Sequence, residues 1–295
     1  MPARILSGRE PAEALLASLR PKIQELNPKL VILQVGEEAA SAVYIQRKLA
    51  ACQRVGMRCE HRNFPFDASF QELLETIERL NADTDVHGVI LQLPLPPHLN
   101  QTLPLLHRAI HPKKDVDGFT AYNLGKMFLG KEFEHLPPAT PAGIIALLEY
   151  YNIPIAGKHA VVIGRSNIVG KPLGIMLLNR DATVTICHSK TNDLPSCTRP
   201  ADILVVAVGK PKMITADMVK PGAVVIDVGI SRTELSPTPL PNPPPQGEGK
   251  LVGDVDFENV KEVASAITPV PGGIGPMTVA SLIRNCVRAA ERQRE

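Results

Sequence analysis

An amine and a phenol lie one helical turn apart in the first fifth of the chain. Tyr44 and Lys48 fall four residues apart in SAVYIQRKLAACQRVG (41–56), whose periodicity predicts a helix, so both side chains project from one face. A lysine amine donates a proton and, when neutral, accepts one, as general acid–base catalysis requires. By themselves, such residues are more often a solvated pair on a helix surface than part of a site.

Two further polar side chains follow apolar or turn-forming segments. Gln92 sits between Leu91 and Leu93 near the end of the predicted strand VHGVILQLPL (86–95), and ligands of α/β proteins bind at the carboxyl ends of strands. Asp117 precedes a glycine in KKDVDG (113–118), which suits a fixed carboxylate facing a cleft. The alternatives are that Gln92 is an ordinary polar residue whose hydrogen bonds are made within the fold, and that Asp117 lies in a simple turn. A calcium loop is excluded because its remaining ligand positions are missing, and no metal is expected.

A glycine-containing turn can hold phosphate. The predicted strand HAVVIG (159–164) runs into GRSNIVGKP, where Gly164 permits a sharp turn and Gly170 allows close packing of helix on strand. Free N–H groups at a helix start, together with the helix dipole, favour an anion. Because Ser166 replaces the middle glycine of GxGxxG, the motif alone is weak. The strand before it and the helix after it strengthen the interpretation.

The next predicted strand favours NADP over NAD. NAD-specific sites carry an acidic residue at the end of that strand, whereas here it ends HSKT (188–191). Arg165 and Ser189 can instead bind a 2′-phosphate, since a guanidinium offers paired donors. The alternative is that Arg165 is a solvated residue at a helix start.

Short apolar runs alternate with helical patterns along most of the chain, which predicts an α/β fold with mainly parallel strands. Strands at 159–164, 182–188, 202–209 and 223–229 describe a Rossmann-like domain. The first half predicts strands at 29–35, 58–64 and 86–95, with helices at 41–56, 69–82 and 100–110. A Gly/Pro-rich loop, TPVPGGIGPMT (268–278), leads into an amphipathic helix over 277–295.

Composition excludes several classes of protein. The formal net charge of +2 is too small for a nucleic-acid footprint, and aromatics at 4% argue against stacking of bases. No run of 18 apolar residues or signal-peptide pattern occurs, so we expect no membrane span and a cytoplasmic protein. The five scattered cysteines indicate reduced thiols. Residues 236–249 contain six prolines and predict a solvated loop insertion in preference to a proline-rich docking ligand.

Six segments, in the same order, resemble the bifunctional methylenetetrahydrofolate dehydrogenase/cyclohydrolase family. They are VGEEAASAVYIQRK, GVILQLPLP, KDVDGF, GRSNIVGKP, VIDVGI and TPVPGGIGPMT. The resemblance implies two α/β domains around a cleft, the second a Rossmann-like NADP-binding domain, with the C-terminal helix returning to the first. It also implies tetrahydrofolate substrates, NADP as cofactor and a homodimer. We predict a folate-binding domain at 1–139 with 270–295, and an NADP-binding domain at 140–269.

The resemblance also assigns residues. Lys48, Tyr44, Gln92 and Asp117 are the expected catalytic residues. The expected substrate contacts are Tyr44, Lys48, Leu91, Gln92, Leu93, Asp117 and the loop Pro271, Gly272, Gly273, Ile274 and Gly275. The expected NADP contacts are Gly164, Arg165, Ser166, Ser189 and Ile230.

The chain departs from the family pattern at two places: Ala139 stands where a cysteine is usual, and the insertion follows Ile230. Three alternatives rank lower. One is a shikimate-type dehydrogenase, in which the pair Tyr44/Lys48 would not be expected. The others are a dehydrogenase without cyclohydrolase activity and a non-catalytic binding protein.

Overall fold

The computed structural model describes residues 2–130, 135–232 and 251–294. In chain order, its strands are β1 (Arg4–Ile5), β2 (Lys29–Val35), β3 (Arg58–Phe64), β4 (Gly88–Leu91), β5 (His159–Ile163), β6 (Thr183–Cys187), β7 (Ile203–Val206), β8 (Val224–Asp227), β9 (Ser231–Arg232), β10 (Leu251–Val252) and β11 (Ala266–Ile267). Its helices are α1 (Arg9–Leu26), α2 (Ala39–Val55), α3 (Phe70–Ala82), α4 (Leu103–Ala109), α5 (Ala121–Phe128), α6 (Ala139–Tyr150), α7 (Gly170–Leu178), α8 (Leu194–Thr198), α9 (Phe257–Val260) and α10 (Ile274–Arg294).

The chain forms two compact units. One consists of Ala12–Gly143 with Thr278–Glu295, and we call it the three-stranded unit. The other consists of Met1–Pro11 with Ile144–Met277, and we call it the six-stranded unit. No described helix combines the length and the apolar character needed to cross a membrane.

The three-stranded unit contains a parallel sheet in the order β3-β2-β4. Its central strand β2 is buried over Leu30–Val35, which explains why that strand reads as a continuous apolar run. A capping box begins α3, where Ser69 and Glu72 satisfy each other's backbone N–H groups. This helix packs Leu73, Ile77 and Leu80 into a core with the apolar side chains of β2.

The six-stranded unit contains a parallel sheet in the order β1-β11-β8-β7-β5-β6. After the two-residue β1, the chain enters the sheet at β5, continues to β6 on one side of it, and then to β7 and β8 on the other. Strand order therefore reverses between β5 and β7, which is where doubly wound sheets bind their ligands, outside the carboxyl ends of the strands. The predicted fold class, two α/β domains with the second Rossmann-like, is confirmed.

The units differ in their bounds from the predicted domains. Residues 1–11 were placed with the first half, but Arg4 and Ile5 pair with Ala266 and Ile267 at the edge of the six-stranded sheet. A two-residue strand is too short to produce a periodic sequence pattern. Residues 270–277 also belong to the six-stranded unit, although α10 enters the three-stranded unit from Thr278 onward.

Helices α1, α5, α6, α8 and α9 were not predicted. Helix α6 is apolar along most of its length and largely buried, so no polar face marks its period. The predicted loop insertion at 236–249 lies outside the described residues. Its two flanks pair as an antiparallel ribbon, with Ser231 opposite Val252 and Arg232 opposite Leu251.

Helix α10 fixes two segments of the three-stranded unit through one buried amide. The Nδ2 atom of Asn285, a fully buried residue, donates to the carbonyl oxygens of Val116 at 2.8 Å and Pro137 at 2.7 Å. Val116 and Pro137 are both buried, and buried carbonyl groups require a hydrogen-bond donor. The C-terminal helix thus holds the loop that begins at Val116.

We expect Asn285→Ala to lower the free energy of unfolding by about 3 kcal/mol, because two buried carbonyl groups lose their donors. Urea unfolding measures the change. Asn259→Ala, which removes an exposed amide, should cost less than about 0.5 kcal/mol. A loss below about 1 kcal/mol for Asn285→Ala would contradict this role.

Candidate functional site

In the three-stranded unit, Lys48 and Gln92 are joined by a hydrogen bond. Lys48 Nζ donates to Gln92 Oε1 at 2.9 Å, and both side chains are half-buried. Gln92 Nε2 donates to the carbonyl oxygen of Leu93 at 2.8 Å, which fixes the orientation of the amide. The lysine on α2 is therefore not a freely solvated surface residue, and the amide at the end of β4 presents an acceptor to it.

Tyr44 lies one turn before Lys48 on α2 and is also half-buried. Burial raises the pKa of its phenol, and the positive charge of Arg47 opposes that shift. The Arg47 guanidinium lies 5.9 Å from the centre of the Tyr44 ring. The phenol therefore stays protonated at neutral pH and is available as a hydrogen-bond donor.

The loop that carries Asp117 is built around a different carboxylate. Asp115 is 2% exposed, and its oxygens accept four hydrogen bonds, at 2.7 to 3.1 Å. The donors are the backbone N–H groups of Gly118, Phe119 and Thr120 and the side chain of Asn123. In the sequence DVD, Asp115 thus holds the loop, and Asp117 takes no part in these four hydrogen bonds. Sequence reasoning missed Asp115, although a DxDG pattern in which only one Asp can close the turn was the available signal.

Gly118 is required at its position. Its φ of +73° is in the left-handed region, and an added Cβ would come within 2.4 Å of the carbonyl oxygen of Leu136. The backbone immediately after Asp117 therefore turns in a conformation that only glycine adopts there without strain.

Burial raises the pKa of the Asp117 carboxyl to about 6, with the positive charge of Lys48 opposing the shift and the negative charge of Asp115 adding to it. The interaction with Lys48 places the two predicted site residues in one electrostatic neighbourhood. The structure thus brings Lys48, Gln92 and Asp117 together. Leu91 is buried, and Leu93 is half-buried beside the amide.

Two cysteines lie close enough to Lys48 to interact with its charge, which sequence reasoning did not anticipate. The thiols of Cys52 and Cys59 are hydrogen-bonded to each other, and both interact with the charge of Lys48. All five cysteines of the chain are free thiols, as predicted. Among the described residues, no group of three or more His, Cys, Asp or Glu side chains is arranged to hold a metal ion.

In the six-stranded unit, the glycine turn after β5 brings backbone segments into close contact. Gly164 has a φ of +124°, and a Cβ there would lie 2.3 Å from the carbonyl oxygen of Ala207, which follows β7. A Cβ on Gly170 would lie 2.0 Å from the carbonyl oxygen of Gly164. Ser166 Oγ accepts from the N–H groups of Val169 and Gly170 at 3.1 and 3.3 Å, so these groups are partnered within the turn.

A cavity of about 420 Å³ opens beside this turn. Three predicted cofactor residues, Gly164, Arg165 and Ser189, line it. Ser166 and Ile230 do not, and Ile230 is 37% exposed. The other residues of the wall are Ile163, His188, Thr191, Leu194, Ala207, Val208, Lys210 and Met213.

Lys210 was missed by sequence reasoning. It adds a second cation to a wall that already carries Arg165, as expected for a cavity that holds a phosphorylated ligand. Its signal was its place directly after the glycine that ends the predicted strand 202–209.

The loop Pro271–Gly275 is held within the six-stranded unit. The carbonyl oxygen of Gly272, whose φ is +106°, accepts from the N–H of Gly8 at 2.8 Å. A Cβ on Gly8 would come within 1.8 Å of the carbonyl oxygen of Gly273. Ile274 is buried and begins α10.

A doubly wound parallel sheet with a glycine turn and a cationic cavity at its reversal point defines a nucleotide-binding α/β protein. The Lys–Gln–Asp group lies in a separate α/β unit of the same chain. The model of the tetrahydrofolate dehydrogenase/cyclohydrolase NAD(P)-binding domain matches residues 138–294, and that of the catalytic domain of the same family matches residues 6–117. The chain belongs to the tetrahydrofolate dehydrogenase/cyclohydrolase family.

Individual relatives agree along the whole chain. The bifunctional protein FolD of Exiguobacterium sibiricum is 49% identical over 294 residues, 98% of this chain and 100% of the relative. The crystal structure of the bifunctional FolD of Campylobacter jejuni matches with a TM-score of 0.91 at 42% identity, covering 98% of this chain and 99% of the other. A Trypanosoma brucei FolD complexed with NADP cofactor and inhibitor matches with a TM-score of 0.91 at 32% identity, covering 100% and 99%.

We expect Asp117→Asn to raise the free energy of unfolding by about 2–3 kcal/mol at pH 7.5, since it removes a desolvated charge. In the folded protein the pKa of this carboxyl is about 6, above its ordinary value of 3.8. The wild-type group is therefore neutral in both states below pH 4 and charged in both above pH 6. The gain should grow from pH 4 to pH 6 and stay constant above.

Urea unfolding at pH 4 and pH 7.5 measures the difference between the two proteins. Asp67→Asn, at an exposed position, is the control and should change stability equally little at both pH values. An Asp117→Asn gain that is the same at both pH values would show that the charge of Asp117 is not its source.

Proposed function

We propose that this chain catalyses two successive reactions on a one-carbon folate. The first is NADP-dependent oxidation of 5,10-methylenetetrahydrofolate to 5,10-methenyltetrahydrofolate. The second is hydrolysis of that product to 10-formyltetrahydrofolate. The observation that carries the proposal is the hydrogen bond from Lys48 to the fixed amide of Gln92, in the electrostatic neighbourhood of a desolvated Asp117.

The cavity of the six-stranded unit fits NADP in its chemistry. Arg165 and Lys210 supply cations, Ser189 supplies a hydroxyl group, and no carboxylate lies among the wall residues. An adenosine 2′-phosphate is favoured by such a wall, whereas a free ribose diol is normally bound by an acidic side chain. When bound, NADP would supply the acceptor for a hydride.

Oxidation requires no general base. A hydride leaves the carbon that bridges N5 and N10, and the resulting cation is delocalised over both nitrogens. The protein must therefore hold the folate in place and exclude water, and positioning supplies most of the acceleration. Leu93, which is half-buried beside Gln92, provides apolar surface for this purpose, whereas Leu91 is part of the core.

Hydrolysis requires a proton acceptor followed by a proton donor. Water forms a bond to the bridging carbon and loses a proton, and N5 gains a proton when its bond to that carbon breaks, with one proton released overall. Lys48 can serve both steps when it is neutral as attack begins. Because Gln92 Nε2 is committed to the carbonyl oxygen of Leu93, its Oε1 stays directed at the amine and orients the lone pair.

Asp117 binds the pterin in this proposal. Its two oxygens accept from the ring N–H and the amino group, a bidentate match for a carboxylate. Burial has already removed part of its solvation, so little further desolvation accompanies binding. Tyr44 packs on the aromatic part of the folate and donates its hydroxyl near Lys48. The family resemblance assigns the loop Pro271–Gly275 to the substrate as well. None of these steps needs the thiol that Ala139 replaces.

We also propose a cytoplasmic homodimer formed through the six-stranded unit. Family resemblance supports both parts. Strand β6 is an outer strand of its sheet among the described residues, and Ile186 on it and Leu178 on α7 are 36% and 55% exposed. An open strand edge with apolar side chains is suited to pairing with a second copy.

Lys48→Met should abolish conversion of methenyl- to 10-formyltetrahydrofolate, lowering the rate by about three orders of magnitude because proton transfer is lost. Loss of methenyltetrahydrofolate absorbance measures the rate. Lys22→Met, at an exposed ion pair, is the matched control and should behave as wild type. Unchanged hydrolysis by Lys48→Met would remove this lysine from the mechanism.

Arg165→Ala should narrow the preference for NADP over NAD by about tenfold or more, because a charge-assisted contact with the 2′-phosphate is lost. The measurement is kcat/KM for each dinucleotide. Arg199→Ala removes an exposed guanidinium of the same unit that does not line the cavity, and should leave the ratio unchanged. If the ratio for Arg165→Ala equals that of wild type, Arg165 does not recognise this phosphate.

A further inference from the structure

Asp254, a buried carboxylate that does not itself line the cofactor cavity, is hydrogen-bonded to a segment that does. Asp254 is fully buried, and its Oδ2 accepts from the backbone N–H groups of Val208 at 2.7 Å and Gly209 at 2.9 Å. Val208 is itself a wall residue, and this segment follows β7 directly. The position of that part of the wall is therefore set by a side chain that lies outside it.

Asp254 is in turn held by a second buried carboxylate at the end of β8. Asp227 is 3% exposed and accepts from the N–H groups of Asp254 at 3.0 Å and Val255 at 2.9 Å. A Cβ on Gly253 would lie 1.9 Å from Asp227 Oδ2, so the two segments are in direct contact. Asp227 thus fixes the backbone from which Asp254 projects.

The same two carboxylates fix the turn after β8. Asp227 Oδ1 accepts from the N–H of Gly229 at 3.0 Å. A Cβ on Gly229 would lie 2.1 Å from Asp254 Cγ, which leaves room for glycine alone. The next residue is Ile230, one of the predicted cofactor contacts. The chain segments at the carboxyl ends of β7 and β8 are therefore set against one shared carboxylate.

The carboxylate of Asp254 is only partly satisfied by hydrogen bonds. Asp254 Oδ1 has no hydrogen-bond partner among the described residues, although the atom is buried. Burying a carboxylate with one oxygen unsatisfied costs free energy, so a group of this kind requires a structural or functional reason. Charge-assisted bonds from two successive N–H groups give a shorter and more rigid attachment than a neutral acceptor would.

We propose that Asp254 is a positioning residue for NADP, which fixes residues 208–209 and the turn at Gly229 at the spacing the dinucleotide needs. The inference rests on the proposed function and adds to it a residue that does not line the cavity. Hydrolysis of methenyltetrahydrofolate needs Lys48 and Gln92 of the other unit and no dinucleotide. The two activities of one sample therefore separate a local effect on the cofactor site from general loss of folded protein.

The experiment compares Asp254→Ala with wild type in both assays. We expect KM for NADP to rise about tenfold or more, kcat of oxidation to fall less, and hydrolysis to stay within about twofold of wild type. Asp254→Asn keeps one carbonyl acceptor and should fall between the two. A KM within twofold of wild type, or an equal fall of both activities, would overturn the proposal.

Asp202→Ala is the matched control. Asp202 also accepts a backbone N–H, from His159 at 2.9 Å, but it lies just before β7, at the amino end of that strand. This variant should lose stability without a change in KM for NADP, and a rise equal to that of Asp254→Ala would overturn the proposal.

Hydrogen exchange provides a second measurement if Asp254→Ala does not fold. In Asp254→Asn, the amides of Val208 and Gly209 should exchange faster than in wild type, while those of β5 do not change. Unchanged exchange at both amides would count against the proposal. Absence of NADP-dependent oxidation in the wild-type protein is a separate outcome that refutes the proposed function itself.

Discussion

Each unit contains a loop held by a buried carboxylate that accepts backbone N–H groups. Asp115 holds the turn that presents Asp117, and Asp254, supported by Asp227, holds the segment that forms part of the cofactor wall. The N–H groups of an irregular loop cannot be satisfied by a sheet ladder, so a loop that must be both buried and rigid requires another acceptor. A carboxylate satisfies several donors at once, and burial strengthens each bond. These two loops can therefore be irregular and still be held in one conformation.

The two neighbouring acidic residues Asp115 and Asp117 differ in their hydrogen bonding. In KDVDG, Asp115 is saturated with donors, whereas Asp117 remains desolvated and its pKa is raised to about 6. A carboxylate that already accepts four hydrogen bonds has no capacity left for a ligand. A partly buried carboxylate without such bonds gains from any hydrogen-bond donor that a ligand brings. In the proposed function, the structural role thus belongs to Asp115 and the binding role to Asp117.

Much of the fold could be predicted from the sequence because its long elements carry strong periodicity. The strand at 29–35 and the helix at 69–82 agree with the structure to within a residue. The elements that were not predicted lack a local sequence pattern. Strand β1 is defined only by its partner β11, and α6 is too uniformly apolar to show a face. Of the candidate site, the spacing of Tyr44 and Lys48 was readable. Asp115 and Lys210 each had a local signal that was overlooked, whereas Asp254 had none, since its role depends on which backbone segments the fold brings beside it.

The ribbon formed by β9 and β10 has a consequence for how the chain can change in length. Residues 233–250 leave from one strand of this ribbon and return to the other, so their two ends are fixed a short distance apart. Closing a longer segment between fixed ends costs only about 0.6 kcal/mol for each doubling of its length. The segment is therefore a place where evolution can add or remove residues at small thermodynamic cost. A change of length between the two strands of the ribbon leaves Gly229 and Asp254, on either side of it, in the same places.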